Sequence, residues 1–241
     1  MYRQDSGAVT ADGVRVYENP ALKRNLFLMT EEVAYFPQWT LAAMRRFFKG
    51  FYPTWNDKTY YGLVDFFRIP EKKKIQRFSK GMQRQAGLIA AFSANVKYLL
   101  LDEAFDGLDV TSREAVRELL GFYVREKHGT AVVTSHNLAE LESFCDRVGM
   151  LDNGRLVLDA DPAAMKQTRC KITLPAQVDV SGFRLIGAAD NRFSYLADCD
   201  AEEAIRRLGE AGCGAAIEPA GLEDFFRSER AVGTVDWAEI F

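Results

Sequence analysis

The sequence predicts an α/β protein: a mostly parallel sheet with an inserted helical subdomain, followed by a small α+β appendage. Three observations carry this. Val96 to Leu101 is an almost unbroken apolar run ending in Asp102-Glu103, which suits a strand buried on both faces of a parallel sheet. A helical stretch with Val116, Leu119, Leu120, Tyr123 and Val124 on one face follows, and strand character resumes at Ala131 to Thr134, so the unit is a right-handed βαβ crossover. From Lys171 onward, short apolar runs separated by turn residues surround one helical segment, Ala201 to Leu208.

The elements follow in order. Ala8 to Thr10 and Val14 to Val16 flank Asp12-Gly13, a pair suited to a turn with positive φ, so the chain opens on a hairpin. Leu26 to Met29 is a second strand, and Pro37 marks the loop after it. From Thr40 to Pro70 the pattern is helical, with Thr40 capping a helix through Leu41, Met44 and Phe48, and Asn56 or Asp57 capping another through Tyr60, Leu63, Val64 and Phe67. Its aromatic stripe reads as core. Thr111 to Glu114 has the pattern of a capping box. Val148 to Leu151 and Arg155 to Leu158 flank Asn153-Gly154, a second hairpin, and Asp161 to Gln167 reads as a short helix at a boundary. The expected domains are therefore 1–168, with the helical subdomain at about 40–95, and 169–241.

The chain has 241 residues, 48% of them hydrophobic, enough to bury a core and too many for a disordered chain. Its net charge of −3 gives no global basic field, so no nucleic-acid partner is expected; Lys72, Lys73, Lys74 and Arg77 read as a solvated loop. Neither a secretory signal nor a membrane-length apolar run is present, and the four cysteines show no metal or disulfide spacing, so a soluble, cytosolic chain is expected.

The chemistry concentrates in a few residues. A buried strand ending in Asp102-Glu103 meets, about thirty residues later, Ser135-His136 at the end of the next parallel strand, and a βαβ unit leaves both ends on one sheet edge. Phosphoryl transfer asks a protein for metal placement and nucleophile alignment, so Asp102 is a candidate Mg²⁺ ligand, Glu103 a candidate base for an attacking water and His136 a candidate γ-phosphate sensor. Ser79-Lys80-Gly81 precedes a helix through Arg84 to Ser93, which suits either an anion site or an ordinary N-cap.

Taken in order, these pieces over residues 4–167 resemble the nucleotide-binding domain of an ATP-binding cassette (ABC) transporter, with a P-loop NTPase-like fold. Tyr98 to Glu103 is similar to Walker B with the catalytic glutamate, Gly107-Leu108-Asp109 to the D-loop, and His136 to the switch histidine. Phe78 to Met82 matches the family signature at Ser79 and Gly81 and departs from it at Lys80 and Met82. Glu31 stands where such proteins usually place a metal-touching glutamine. The resemblance implies ATP and Mg²⁺ as cofactors, with Asp102 and Glu31 toward the metal and Asp109 in the D-loop. Ser79 and Gly81 would act on the nucleotide of a partner subunit in a homo- or heterodimer. It also implies a membrane-embedded transporter subunit as partner and a cytoplasmic location, peripheral on the inner face of the cell membrane.

One departure matters most: no Gly-Lys dipeptide occurs, so the GxxxxGK[ST] phosphate loop and its strand are missing from the sequence. The chain alone is therefore expected to be inactive, and the Val96 to Leu101 strand to lose a flanking neighbour. The alternative is a non-catalytic regulatory or interaction module derived from an ABC ATPase. An ABC ATPase of DNA repair or translation would share the motifs but call for a basic surface or a coiled-coil insert.

Overall fold

The computed structural model describes residues 4–189 and 191–229, so the ends of the predicted domain spans lie outside the described residues. Two compact units part between His136 and Asn137.

The first unit opens with the hairpin β1 (Thr10–Ala11) and β2 (Val14–Arg15), turned by Asp12 and Gly13, both at positive φ. A short helix α1 (Pro20–Lys23) leads into β3 (Leu26–Met29). The helical subdomain holds α2 (Leu41–Phe51) and α3 (Asp57–Phe67), whose first turns are capped by the Thr40 hydroxyl and the Asn56 side-chain oxygen. Next come α4 (Lys80–Ala94), β4 (Tyr98–Leu101), α5 (Val110–Lys127) and β5 (Thr130–Val133). The cap of α5 is Asp109, not the Thr111 to Glu114 box, because Asp109 already accepts from the Ser112 amide and the helix begins two residues earlier.

Strands β3, β4 and β5 form a parallel sheet in that order. The expectation that Val96 to Leu101 loses a flanking strand is therefore overturned: β4 is central, paired with β3 on one side and β5 on the other. The period of two sorts the faces. Phe27 pairs with Leu99 and Met29 with Leu101, and all four are buried. Burying each such side chain contributes about 1.5–3 kcal/mol. Helix α4 packs on β3 at a glycine: a Cβ on Gly87 would lie 2.9 Å from the Met29 sulfur and 3.0 Å from a Val33 methyl. On the opposite face, Leu28, Leu100 and Val132 stand in one register row, with Leu28 and Val132 exposed.

The second unit comprises α6 (Leu138–Phe144), the hairpin β6 (Val148–Asp152) and β7 (Arg155–Ala160), α7 (Pro162–Thr168), β8 (Cys170–Leu174), β9 (Phe183–Ala189), β10 (Arg192–Ala197), α8 (Ala201–Leu208), β11 (Ala216–Pro219) and α9 (Leu222–Glu229). Its antiparallel sheet runs β11-β8-β10-β9. One apolar cluster joins Val148, Leu158 and Met165 to Leu196, Leu222 and Phe225. The β6–β7 hairpin and α7 thus share a core with the later strands, and the boundary expected near residue 168 falls inside this unit. Among the described residues no helix is long and apolar enough to cross a membrane.

Candidate nucleotide site

Parallel pairing aligns the carboxyl ends of β3, β4 and β5, because Met29, Leu101 and Val133 are register partners. The next residues of each strand leave the sheet at one edge, where open α/β sheets bind ligands. Asp102 leaves β4 with its amide donating to the Met29 carbonyl at 2.8 Å. Its side chain is fixed by Thr134, which follows β5: the Thr134 hydroxyl donates to Asp102 Oδ1 at 2.5 Å and accepts from the Glu103 amide at 3.0 Å. One hydroxyl therefore holds both acidic residues.

Glu103 turns the chain at φ 47°, in the left-handed region. A side chain there costs about 1–2 kcal/mol, and such outliers persist where the surroundings enforce them, often at functional sites. The turn sends the Glu103 carboxylate to His136, whose Nδ1 lies 3.0 Å from Glu103 Oε2. Asp102, Glu103 and His136 thus converge within one hydrogen-bonded group. Glu31 stands two residues beyond β3 at the same edge and is exposed. Among the described residues its side chain makes no hydrogen bond to Asp102, and no three His, Cys, Asp or Glu side chains gather as a metal site.

The second group lies where α4 and α5 begin. The Ser79 hydroxyl accepts from the Met82 amide at 3.2 Å, so it caps α4 and keeps its own proton to donate. Gly81 packs on the turn before α5: a Cβ there would sit 2.5 Å from the Gly107 carbonyl oxygen, a distance no other residue tolerates. Asp109 takes the Ser112 amide on Oδ1 at 2.8 Å and the Ser112 hydroxyl on Oδ2 at 2.9 Å. Those two bonds, the amide first, hold its carboxyl below the usual carboxylate range. Gln85 of α4 donates to the same Ser112 hydroxyl at 3.0 Å.

Three residues outside the sequence motifs complete the arrangement. Thr134 joins the two carboxylate residues, Gln85 ties α4 to the Asp109 turn, and Arg84 ties α4 to the sheet edge. The Arg84 guanidinium is buried and donates through Nη1 to the Thr30 and Asp102 carbonyls, both at 3.3 Å. Sequence offered only faint signals for them: a hydroxyl residue directly after a buried strand, and two polar residues directly before the apolar stretch of a helix.

The donor set suits a hard cation. Mg²⁺ is held by one or two carboxylates and keeps its other positions for water and phosphate oxygens. Among the described residues no Lys or Arg pairs with the Asp102 carboxylate, whose second oxygen carries no protein bond. The phosphate cradle itself, a glycine loop with Lys, is not encoded in these 241 residues.

No protein-family model matches the chain. It is 32% identical over 178 residues to the ABC transporter ATP-binding protein YtrB of Bacillus subtilis (strain 168), covering 73% of this chain and 61% of that protein. The chain therefore spans about six-tenths of this relative's length. Among solved structures it is similar to an ATP-binding subunit of an ABC transporter, with a TM-score of 0.60 and 24% identity over 67% of this chain and 70% of that one. It is also similar to the ATP-binding cassette MJ0796, solved as a dimer in a post-hydrolysis state with ADP and Pi, with a TM-score of 0.57 and 17% identity over 65% of this chain and 74% of that one. The parallel sheet with its helices is accordingly a P-loop NTPase fold of the kind seen in ABC ATPase subunits, and the relatives it resembles in sequence are ABC transporter ATP-binding proteins.

Proposed function

We propose that this chain is the Walker B, signature and switch portion of an ABC transporter ATPase, in which ATP hydrolysis drives a separate membrane subunit. The observation that carries the reading is the hydrogen-bonded group Asp102–Thr134–Glu103–His136 at the carboxyl edge of a parallel sheet. Asp102, with Glu31 from the segment after β3 at the same sheet edge, would hold Mg²⁺, which supplies charge neutralisation on the β- and γ-phosphates. Glu103 accepts a proton from the attacking water, and His136 at 3.0 Å keeps that carboxylate oriented. The Ser79 proton and the close backbone at Gly81 serve the nucleotide of a partner ATPase subunit in a dimer, with Asp109 fixing the turn between them. The second unit, from Asn137 onward, serves as an accessory domain, and the protein works at the inner face of the cell membrane.

The non-catalytic alternative draws no support from this geometry. A module free of catalysis has no need of a left-handed Glu103 with its carboxylate 3.0 Å from an imidazole. The test is Mg-ATP hydrolysis by the chain as given and by the chain joined to a strand–GxxxxGK[ST]–helix segment. The account expects no turnover from the first and turnover from the second that falls at least about a hundredfold in Glu103→Gln, the scale of a lost general base. Undiminished turnover in Glu103→Gln would overturn the assignment of Glu103. Turnover by the chain as given would overturn the need for an outside cradle.

A further inference from the structure

At the carboxyl edge of the sheet the ladder between β3 and β4 stops at one bond, from the Asp102 amide to the Met29 carbonyl at 2.8 Å. The next carbonyls of both strands, those of Thr30 and Asp102, are taken by a single nitrogen: Arg84 Nη1 donates to each at 3.3 Å. A guanidinium nitrogen of this kind carries two hydrogens, one for each carbonyl. Arg84 is only 6% exposed, and among the described residues no carboxylate pairs with it. Its helix is seated closely on the sheet. Three residues on, and on the same face of α4, Gly87 leaves room for the Met29 sulfur, which would lie 2.9 Å from a Cβ there.

These contacts meet on one peptide group. The Asp102 carbonyl and the Glu103 amide share a plane, and the amide end donates to the Thr134 hydroxyl at 3.0 Å. The plane is therefore held at both ends, by α4 through Arg84 and by the residue after β5. Glu103 beyond it sits at φ 47°, a conformation unfavourable for a residue with a side chain. Its cheapest escape is a flip of the preceding peptide plane, which changes φ while the flanking chain stays in place. A flip would break the Arg84 and Thr134 bonds together and carry the Glu103 carboxylate away from His136 Nδ1, which it meets at 3.0 Å.

We infer that Arg84 is a positioning residue: from α4 it locks the Asp102–Glu103 peptide and so holds the Glu103 carboxylate where it accepts a proton from water. The role rests on the reading of Glu103 as that acceptor. Arg84 follows Ser79 and Gly81 at the start of the same helix, so a displacement of that turn is carried to Glu103 through one side chain.

Two measurements test it, and only the second needs turnover. In the chain as given, Arg84→Met is expected to speed hydrogen exchange of the Glu103 amide about tenfold relative to the Asp102 amide, which keeps its Met29 bond; tenfold is the scale of one lost hydrogen bond. A uniform loss of stability leaves that ratio unmoved. In the chain joined to a strand–GxxxxGK[ST]–helix segment, Arg84→Met is expected to lower kcat about a hundredfold, the scale of a displaced reacting group, with KM for ATP unchanged. In a Glu103→Gln background the same substitution is expected to lower kcat no further, because Arg84 acts only through Glu103. Arg84→Lys keeps a donor nitrogen on a similar stem and is expected to show the same pattern with smaller losses, which covers the case of a Met variant that does not fold. An unchanged exchange ratio, a raised KM at unchanged kcat, or a further loss in the Glu103→Gln background would overturn the inference. No turnover in the joined chain with Arg84 intact would instead overturn the ATPase reading, and the exchange ratio would still decide whether Arg84 locks the peptide.

Discussion

The sheet edge of the first unit and the surface of the second hold their acidic residues in opposite ways. In the second unit, Asp198 meets Arg169 and Arg184, Glu203 meets Arg206 and Arg207, and Glu218 meets Lys171, so carboxylate charge is neutralised within the unit. In the first, Asp102 is held by a hydroxyl, Asp109 by a hydroxyl and an amide, and Glu103 by an imidazole. A hydroxyl or an amide fixes a carboxylate without cancelling its charge. Charge left in place by well-fixed geometry is what a cation or a polarised water needs, so the contrast separates a surface built for stability from one built for a ligand.

The contrast can be broken by mutation, beginning with the scaffold. Leu99 is fully buried in the central strand, and Leu99→Ala is expected to cost about 2–5 kcal/mol in urea unfolding; a change under about 1 kcal/mol would show that β4 is not the core of the first unit. Arg84→Met removes a buried donor from two carbonyls and is expected to cost about 1–3 kcal/mol. The site itself should respond with the opposite sign. Glu103→Gly relieves the left-handed turn and is expected to raise stability by about 1 kcal/mol. Destabilisation there would make Glu103 a structural residue. In the second unit, Lys171→Gln touches a partly exposed pair and is expected to change stability by at most about 1 kcal/mol.

The smallest effect concerns pH. Asp109 has a lowered folded-state pKa, so its capping contribution is complete above the ordinary aspartate range and is lost as pH falls through the lowered value. Asp109→Asn keeps an acceptor for the Ser112 amide and should flatten that acid limb in a pH series of thermal melts. An unchanged limb would remove Asp109 from the account of acid unfolding.

Local pattern made much of this legible. Asp12-Gly13 and Asn153-Gly154 fixed both hairpins because few other pairs accept two consecutive positive φ values. The strand–helix–strand order around Asp102 placed Glu103 and His136 at one edge because a parallel crossover permits no other arrangement. What stayed hidden depends on contacts between distant residues. Nothing local distinguishes Thr134 from any hydroxyl after a strand, yet it reaches back 32 residues to Asp102. Arg84 reads as a surface residue until α4 is laid across β3 and β4. The boundary near residue 168 misled because the β6–β7 hairpin takes its core from β10 and α9. The helices α6 and α9 escaped notice because seven or eight residues give too little periodicity to separate from loop.

The central claim concerns where a metal-bound triphosphate sits. With Mn²⁺-ATP added to the chain joined to a phosphate-loop segment, paramagnetic broadening in a nitrogen–proton correlation spectrum locates the metal. The account predicts selective loss of the Leu101 to Glu103 and His136 amide signals. The absence of broadening at the β4 and β5 ends while nucleotide is bound would contradict it.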